Sequence, residues 1–303
     1  TTRDNFIKRM PVTSFRAQQR GGVGVTGMTT REEDIVDKIF VATARSYILF
    51  FSNKGKVFRL KAYDIPEVGR TGKGQSIANL LQLEEKEFVT AAVAVKTFDP
   101  KKFLVMGTEA GNVKKTSLSD FENIRRSGII AISLKGDDQL RWVHETDGNR
   151  EVIFGTAKGM IIRFKEKDAR PMGRGAAGTR AIKLRKGDEV IAMDVVGDKG
   201  DLLAVSRGGF GKRMPMKEFR TQRRGGTGLT AMKLREKDAV ARMRIIFPDD
   251  ELLFVTAQGV ISRQKAKGIS TQGRYAKGVR IQRLETSDQL VDLARVAVEV
   301  KVE

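Results

Sequence analysis

Val152-Ile-Phe154, then Gly159-Met-Ile-Ile-Arg163, then Gly178 nineteen residues beyond Gly159: this is the stretch on which the fold turns. It reads as an apolar run, a turn, a glycine opening a basic strand, and a second glycine at a fixed distance. The same order recurs along the chain. Further openers are Gly55-Lys-Val-Phe-Arg59, Gly111-Asn-Val-Lys-Lys115, Gly209-Phe-Gly-Lys-Arg213 and Gly259-Val-Ile-Ser-Arg263, with Asn5-Phe-Ile-Lys-Arg9 in the first unit. The second glycines are Gly24, Gly74, Gly128, Gly178, Gly228 and Gly278. Ten residues after each stands an acid: Asp34, Glu84, Asp138, Asp188, Asp238, Asp288. Successive openers lie 50, 56, 48, 50 and 50 residues apart. A period near 50 is too long for most helical solenoids and suits propeller blades of about four strands each.

The local pattern agrees. Apolar runs at Tyr47–Phe51, Phe103–Met106, Val152–Phe154, Leu202–Val205 and Leu252–Val255 each precede an opener by a few turn residues. Short apolar runs bounded by glycine read as buried strands in hairpins. A further apolar stretch closes each unit, as in Val190–Met193 and Leu290–Leu293. No window carries a helical stripe long enough to organise a domain. The expectation is one all-β domain of six blades, near 1–46, 47–99, 100–148, 149–198, 199–248 and 249–303. The first unit lacks its apolar run. Either it is truncated, or the missing strand comes from Val291–Val300.

The 303 residues carry 57 basic against 37 acidic side chains, a net charge of +20. A small domain needs a magnitude of only roughly 2–8 for solubility, so this excess reads as the footprint of a polyanion. No stretch is long and apolar enough to span a membrane, no amphipathic helix suggests a membrane surface, and no signal-peptide pattern opens the chain. There is no cysteine, which excludes disulfides and thiolate metal sites and favours an intracellular setting. The single histidine, His144, cannot form a histidine pair for metal and reads as packing or surface. Gly72-Lys73-Gly74 looks like a scrap of a phosphate loop without its strand–loop–helix context. Tyr47, Tyr63 and Tyr275 sit in repeat positions without an acidic metal cluster. The reading is a binding module with no catalytic residues, metal or cofactor.

Two classes of basic residue recur. Arg9, Arg59, Lys115, Arg163, Arg213 and Arg263 lie within the strand, usually on the side of an apolar residue two before. The bland expectation for them is a salt bridge in each unit to the repeated acid ten residues after the second glycine. The other class lies in glycine-rich loops: Arg20, Arg70, Arg174, Arg224 and Arg274, with Arg125 and Arg126 in the shortened third unit. Lys73, Arg180 and Lys277 stand close by. Guanidinium forks and glycine N–H groups suit phosphate oxygens, so equivalent loops on six blades would draw a basic belt around the rim.

Two of these loops are near-copies: Gln18-Gln19-Arg20-Gly21-Gly22-Val23-Gly24 and Gln222-Arg223-Arg224-Gly225-Gly226-Thr227-Gly228. The second closely resembles the heptapeptide that marks the C-terminal domains of DNA gyrase A proteins. Phe15-Arg-Ala-Gln-Gln-Arg-Gly-Gly-Val-Gly, Ile48-Leu-Phe-Phe-Ser-Asn-Lys-Gly-Lys-Val, Ile77-Ala-Asn-Leu-Leu and Asn112-Val-Lys-Lys-Thr extend the resemblance over essentially the whole chain. It implies a six-bladed β-pinwheel whose blades exchange strands. It also implies wrapping of double-stranded DNA around the rim, in support of ATP-dependent negative supercoiling. The family's wrapping determinant falls at Gln18–Gly24, where one arginine stands against two in the copy at 222–228. Catalytic tyrosine and ATPase would lie elsewhere in the parent enzyme. The implied partners are the rest of the gyrase A protein and the gyrase B protein of the parent heterotetramer, in the bacterial cytoplasm and associated with the nucleoid. The alternatives are the equivalent domain of a topoisomerase IV, or a propeller scaffold for an acidic protein partner.

Overall fold

A computed structural model of the chain describes residues 1–2, 4–11, 42–69, 72–197, 199–258, 260–285 and 287–296. The fold is all-β: its strands are joined by turns and short 3-10 segments. The fourth unit serves to introduce the rest. Its apolar run is the strand Glu151–Thr156, paired antiparallel with the basic strand Met160–Lys165, with Ile153 opposite Arg163. On its other side Glu151–Thr156 pairs with Val190–Val196, which closes the unit.

The fourth strand of this sheet comes from elsewhere. Met160 and Ile161 pair with Thr230 and Leu229, from the strand Leu229–Thr230 that follows the second glycine of the fifth unit. The rule repeats. Lys56–Lys61 takes Ile129–Ile130, Asn112–Ser117 takes Thr179–Arg180, and Phe210–Pro215 takes Val279–Arg280. In the first unit Phe6–Ile7 pairs with Gln75–Ser76. The blades therefore exchange strands, the first five units each accepting a strand from the unit that follows. Among the described residues there are four such four-stranded sheets, a three-stranded sheet in the last unit and a two-stranded pair in the first. Leu290–Val296 pairs with Glu251–Thr256 of its own unit. As far as it is described, this segment belongs to the last unit's own sheet and supplies no strand to the first, which goes against the second of the two alternatives for the first unit.

Both repeat glycines sit where consecutive units meet. Gly228, at φ 76°, precedes the exchanged strand, and a Cβ there would lie 2.5 Å from the Ile161 carbonyl oxygen of the preceding unit. The opener Gly159, at φ 77°, would drive a Cβ into the Met232 carbonyl oxygen of the following unit. At Gly159 and Gly228 positive φ and the close carbonyl both favour glycine, while Asn5 takes the opener place of the first unit at φ 60°.

Between these contacts lies the core, and it belongs to pairs of blades. Ile153, Ile161 and Ile191 of the fourth unit pack with Leu202, Met214, Phe219 and Met243 of the fifth. Equivalent clusters join the first unit to the second, the second to the third, the third to the fourth, and the fifth to the sixth. The closing strands pack against one another in order along the inner edge. Both faces of the two hairpin strands are thus apolar: Phe154, Ile162 and Phe164 face one neighbour while Ile153 and Ile161 face the other. Each fully buried residue of this size contributes about 1.5–3 kcal/mol.

Gly228→Ala should lower the unfolding free energy by more than about 1 kcal/mol, since alanine here meets both a forbidden φ and a carbonyl. Gly173→Ala, where a Cβ would meet nothing within 4 Å, is the comparison. Equal urea midpoints for the two variants would contradict the packing account.

Candidate nucleic-acid interface

The loop between the 3-10 segment and the exchanged strand is draped over the preceding blade. In the fifth unit, Gln222 N–H donates to the Arg163 carbonyl at 2.7 Å and Gly225 N–H to the Ala181 carbonyl at 2.6 Å. Lys183 N–H returns a bond to the Gly226 carbonyl at 2.8 Å. The fourth-unit loop is joined in the same way: Met172 N–H reaches the Lys115 carbonyl at 2.8 Å, and Ser133 N–H reaches that of Ala176 at 3.2 Å. In the sixth unit Lys233 N–H lies 3.4 Å from the Ala276 carbonyl. Backbone bonds therefore tie each loop to the basic strand of the preceding unit and to the segment that follows that unit's exchanged strand.

No aspartate or glutamate occurs in Arg170–Arg180, Arg220–Thr230 or Ser270–Arg280, while each stretch holds three basic residues. Arg125, Arg126, Arg180, Arg223 and Lys277 are exposed, as is Lys73 in the second unit, and Arg174 and Arg274 are half-buried. The Arg274 guanidinium lies 5.2 Å from the exposed ring of Tyr275. Arg223 and Arg224, adjacent in sequence, have different surroundings. The Arg223 side chain makes no hydrogen bond or ion pair among the described residues. Arg224 donates through Nε to the Asp168 carbonyl at 2.9 Å and through Nη1 to that of Arg180 at 3.0 Å. Arg224 thus helps fix the shape of the loop. Gln222 and the glycines Gly225, Gly226 and Gly228 form the loop's backbone turn, with Thr227 exposed at its outer side. Gln18–Gly24 and Arg70 lie outside the described residues. Arg280 stands at the end of its exchanged strand as Arg180 does, and sequence reasoning missed it. Its signal is its place, two residues after a second glycine.

The strand bases have other partners than those expected. Arg163 pairs with Glu151, at the start of its own apolar strand, and donates to the carbonyls of Met216 at 2.8 Å and Phe219 at 3.1 Å. Arg213 likewise reaches Asp201 and, at 2.7 Å, the Ile269 carbonyl. Arg263 pairs with Glu251 and Arg9 with Glu67. Lys115 replaces the arginine in the third unit and sits 3.7 Å from the fully buried Glu166. Burial of Glu151 works to raise its pKa, but hydrogen bonds from Thr221 and Arg163 outweigh this and hold its carboxyl below the usual range.

The repeated acid does something else. Asp188 accepts from Lys158 N–H at 2.9 Å and the Thr156 hydroxyl at 2.7 Å; Asp138, Asp238 and Asp288 accept from Ala110, Gly208 and Gln258 N–H. It caps the turn of its own hairpin, so the expected bridge between this acid and the strand base is corrected. A hairpin turn offers unpaired N–H groups, and a carboxylate satisfies them at short range. Glu84 departs from this pattern and pairs with Lys54 and Lys56.

Besides Lys115, two lysines of the basic strands prove to be internal. Lys114 and Lys212 are 1% and 0% exposed. Burial pushes the Lys114 ammonium down to about 8, with repulsion from Arg174 adding and Asp120 opposing. Burial does the same to Lys212, also to about 8, with Glu218 opposing and Arg274 adding. Among the described residues no group of three or more histidine, cysteine, aspartate or glutamate side chains could hold a metal ion. No helix there is long and apolar enough to cross a membrane.

The comparisons with known proteins follow the repeat. The sequence matches the family described as DNA gyrase C-terminal domain, beta-propeller, in six segments: residues 1–43, 46–96, 102–147, 150–197, 200–246 and 250–297. It is 44% identical over 215 residues to the DNA gyrase A protein of Staphylococcus aureus strain MRSA252, covering 70% of this chain and 24% of that one. The corresponding Staphylococcus epidermidis protein (strain ATCC 12228) is 43% identical over the same length and shares. The chain thus spans about a quarter of the length of these relatives. A solved DNA gyrase A C-terminal domain aligns with a TM-score of 0.79 at 27% identity, covering 98% of each chain. A topoisomerase IV C-terminal domain aligns with a TM-score of 0.83 at 24% identity, covering 97% of this chain and 91% of that one, a likeness of fold.

Arg163→Ala leaves Glu151 half-buried without its cation and removes the guanidinium bonds to the Met216 and Phe219 carbonyls; chemical denaturation should show a loss of about 1–3 kcal/mol. The lysines predict a pH effect in the alkaline range, with the same sign as the carboxylate effect at low pH: stability rises with pH. Between about 8 and 10.5 the folded chain releases the Lys114 and Lys212 protons while the unfolded chain, at the ordinary 10.5, keeps them. Stability from these groups therefore rises with pH across that window, by up to about 1.4 kcal/mol per unit per lysine. Comparing the parent with the Lys114→Met, Lys212→Met double variant at pH 7 and 10 isolates the effect. The parent should gain on the variant at the higher pH.

Proposed function

The chain belongs to the DNA gyrase C-terminal domain, beta-propeller family, and from that premise we propose that it binds and bends duplex DNA along the basic loops of its rim. The wrapped segment would be presented to the gate of a gyrase for ATP-dependent negative supercoiling, with the rest of the gyrase A protein and the gyrase B protein as partners. In this reading it acts as an accessory module of a topoisomerase in the bacterial cytoplasm, and needs no cofactor of its own. The observation that carries it is the series of acid-free, glycine-rich loops, each hydrogen-bonded onto the preceding blade and holding exposed or half-exposed bases.

The physics favours a continuous path over a single strong site. At nucleosome-like curvature, about 45° per 10 bp, a half-turn takes roughly 40 bp and has an elastic cost on the order of 10 kcal/mol. One loop with two or three phosphate contacts cannot offset that. A row of loops can, because each charge-assisted contact adds to the next along the same strand. Exposed arginines then supply phosphate affinity, and the loop backbone fixes where they point. Base edges are not addressed, so sequence preference should be weak. Gln18–Gly24 keeps its proposed place as the site where the path is completed.

Binding should weaken steeply with salt, by about −0.9 in log K per log salt for each of roughly 6–12 phosphates; a slope shallower than about −3 would defeat the rim assignment. Arg174→Ala and Arg223→Ala should reduce affinity at unchanged melting temperature, whereas Arg224→Ala should reduce both. Positive writhe gained by closed circular DNA on binding is the outcome that separates this reading from a scaffold for an acidic protein. Replacing Arg20-Gly21-Gly22 by alanines should spare short-duplex affinity and remove bending of long duplexes, read by end-to-end fluorescence transfer.

A further inference from the structure

Resting on the reading of these loops as DNA contacts, we propose that Lys114 and Lys212 are positioning residues that pin the basic loop of the following blade through its main chain and so aim Arg174 and Arg274 at phosphate. The Lys212 ammonium donates to the carbonyls of Gly273 at 2.6 Å and Arg274 at 2.8 Å. The Lys114 ammonium donates to the Ala131 carbonyl at 2.6 Å and to the carbonyl of Arg174 itself. Lys8, at the same register of the first unit, reaches the carbonyls of Gly69 at 3.0 Å and Gly72 at 2.9 Å, on either side of Arg70. Each lysine starts in one blade and ends on the loop of the next.

The register makes this more than ordinary packing. Lys114 stands opposite Met106 and Lys212 opposite Ala204, as Phe58 stands opposite Phe50 and Ile162 opposite Phe154. Phe58 and Ile162 are buried to within 1%. An apolar side chain therefore satisfies this place wherever only the core is served. A buried ammonium carries a desolvation cost that an apolar group avoids. What the lysine adds is a bond to the loop, and it occurs in alternate units, the first, third and fifth. The rim consequently has two kinds of loop. Those of the second, fourth and sixth units are held from behind by an amine, whereas the fifth-unit loop is held by its own Arg224.

Charge adds a second effect. Lys114 and Arg174 repel each other, as do Lys212 and Arg274. A phosphate at the loop relieves that repulsion and favours the charged ammonium, so the clamp tightens when the anion arrives. Asp120 and Glu218 are the acids that act on the two lysines.

The test uses Lys212→Met and Arg274→Ala, singly and together, on the 303-residue chain, with a duplex of wrapping length as probe. Lys212→Met should bind about fivefold more weakly, with a salt slope shallower by about 0.9 for the one phosphate lost. Its melting temperature should be unchanged or raised, because a buried charge has been removed. The double variant should bind no worse than Arg274→Ala alone, since the lysine acts through the arginine. Amide exchange across Ser270–Arg280 should quicken in Lys212→Met. Additive losses in the double variant, or unaltered loop exchange, would overturn the clamp. Full-strength binding by Arg274→Ala would instead overturn the loop as a DNA contact. Lys114→Met, read through Arg174, repeats the test should Lys212→Met prove poorly folded.

Discussion

Everything in this domain depends on a two-residue pairing. Leu229 and Thr230 leave their own unit to hydrogen-bond with Ile161 and Met160 of the unit before, and the same exchange recurs along the chain. The pairing is short, yet it brings the second glycine against a strand carbonyl and the opener against the next unit's main chain. Those approaches bring the facing apolar residues together into clusters shared by two blades. A single blade has no separate core to bury, which is why its hairpin strands are apolar on both faces. The loops that lead into the exchanged strands are carried onto the neighbouring blade as a consequence. The basic row is thus a by-product of how the blades are joined.

Electrostatics is divided along the same lines. Bases inside the strands are used within the fold, holding the carbonyls of the following unit's 3-10 turn. Acids ten residues past the second glycine are used at the hairpin turn. Arg224 apart, the bases of the draped loops are not used in this way, and no acid stands within Arg170–Arg180, Arg220–Thr230 or Ser270–Arg280. A net charge of +20 is therefore concentrated in its effect, since internal pairs cancel while the loops do not.

Much of this was legible in the sequence, and the failures have physical causes. Gly159 and Gly178 mark the units because positive φ and close approach favour glycine, so the period could be counted. The hairpin strands were visible as apolar runs. Strand exchange was available only through family resemblance, because a two-residue strand such as Thr179–Arg180 has no periodic signature. Arg163 is ion-paired, as its place in the repeat suggests, but with Glu151 and not with the repeated acid. A fixed interval between charge positions says nothing of which turn folds between them, and Glu151 lies opposite Lys165, two residues along the same strand from Arg163. Lys114 and Lys212 were not singled out in the sequence, where they stand beside the cationic Lys115 and Arg213. Only the burial of Phe58 and Ile162 at the same register reveals that this place faces inward. Gln18–Gly24 and Arg70, outside the described residues, remain sites proposed from sequence.

The exchange also gives the array a direction in time. A sheet here is finished by residues that are translated later: Met160–Lys165 waits for Leu229–Thr230, and Phe210–Pro215 waits for Val279–Arg280. During synthesis each blade must stand with an open outer edge until the next unit emerges, and an open edge is an invitation to wrong partners. Growth proceeds from the N-terminal side, with every new unit sealing its predecessor. Loss of a unit from the C-terminal side reopens a sheet, whereas loss from the N-terminal side removes a recipient and leaves the donors' own sheets whole. Proteolytic trimming and ribosome stalling should therefore be felt unequally at the two ends of an otherwise repetitive molecule.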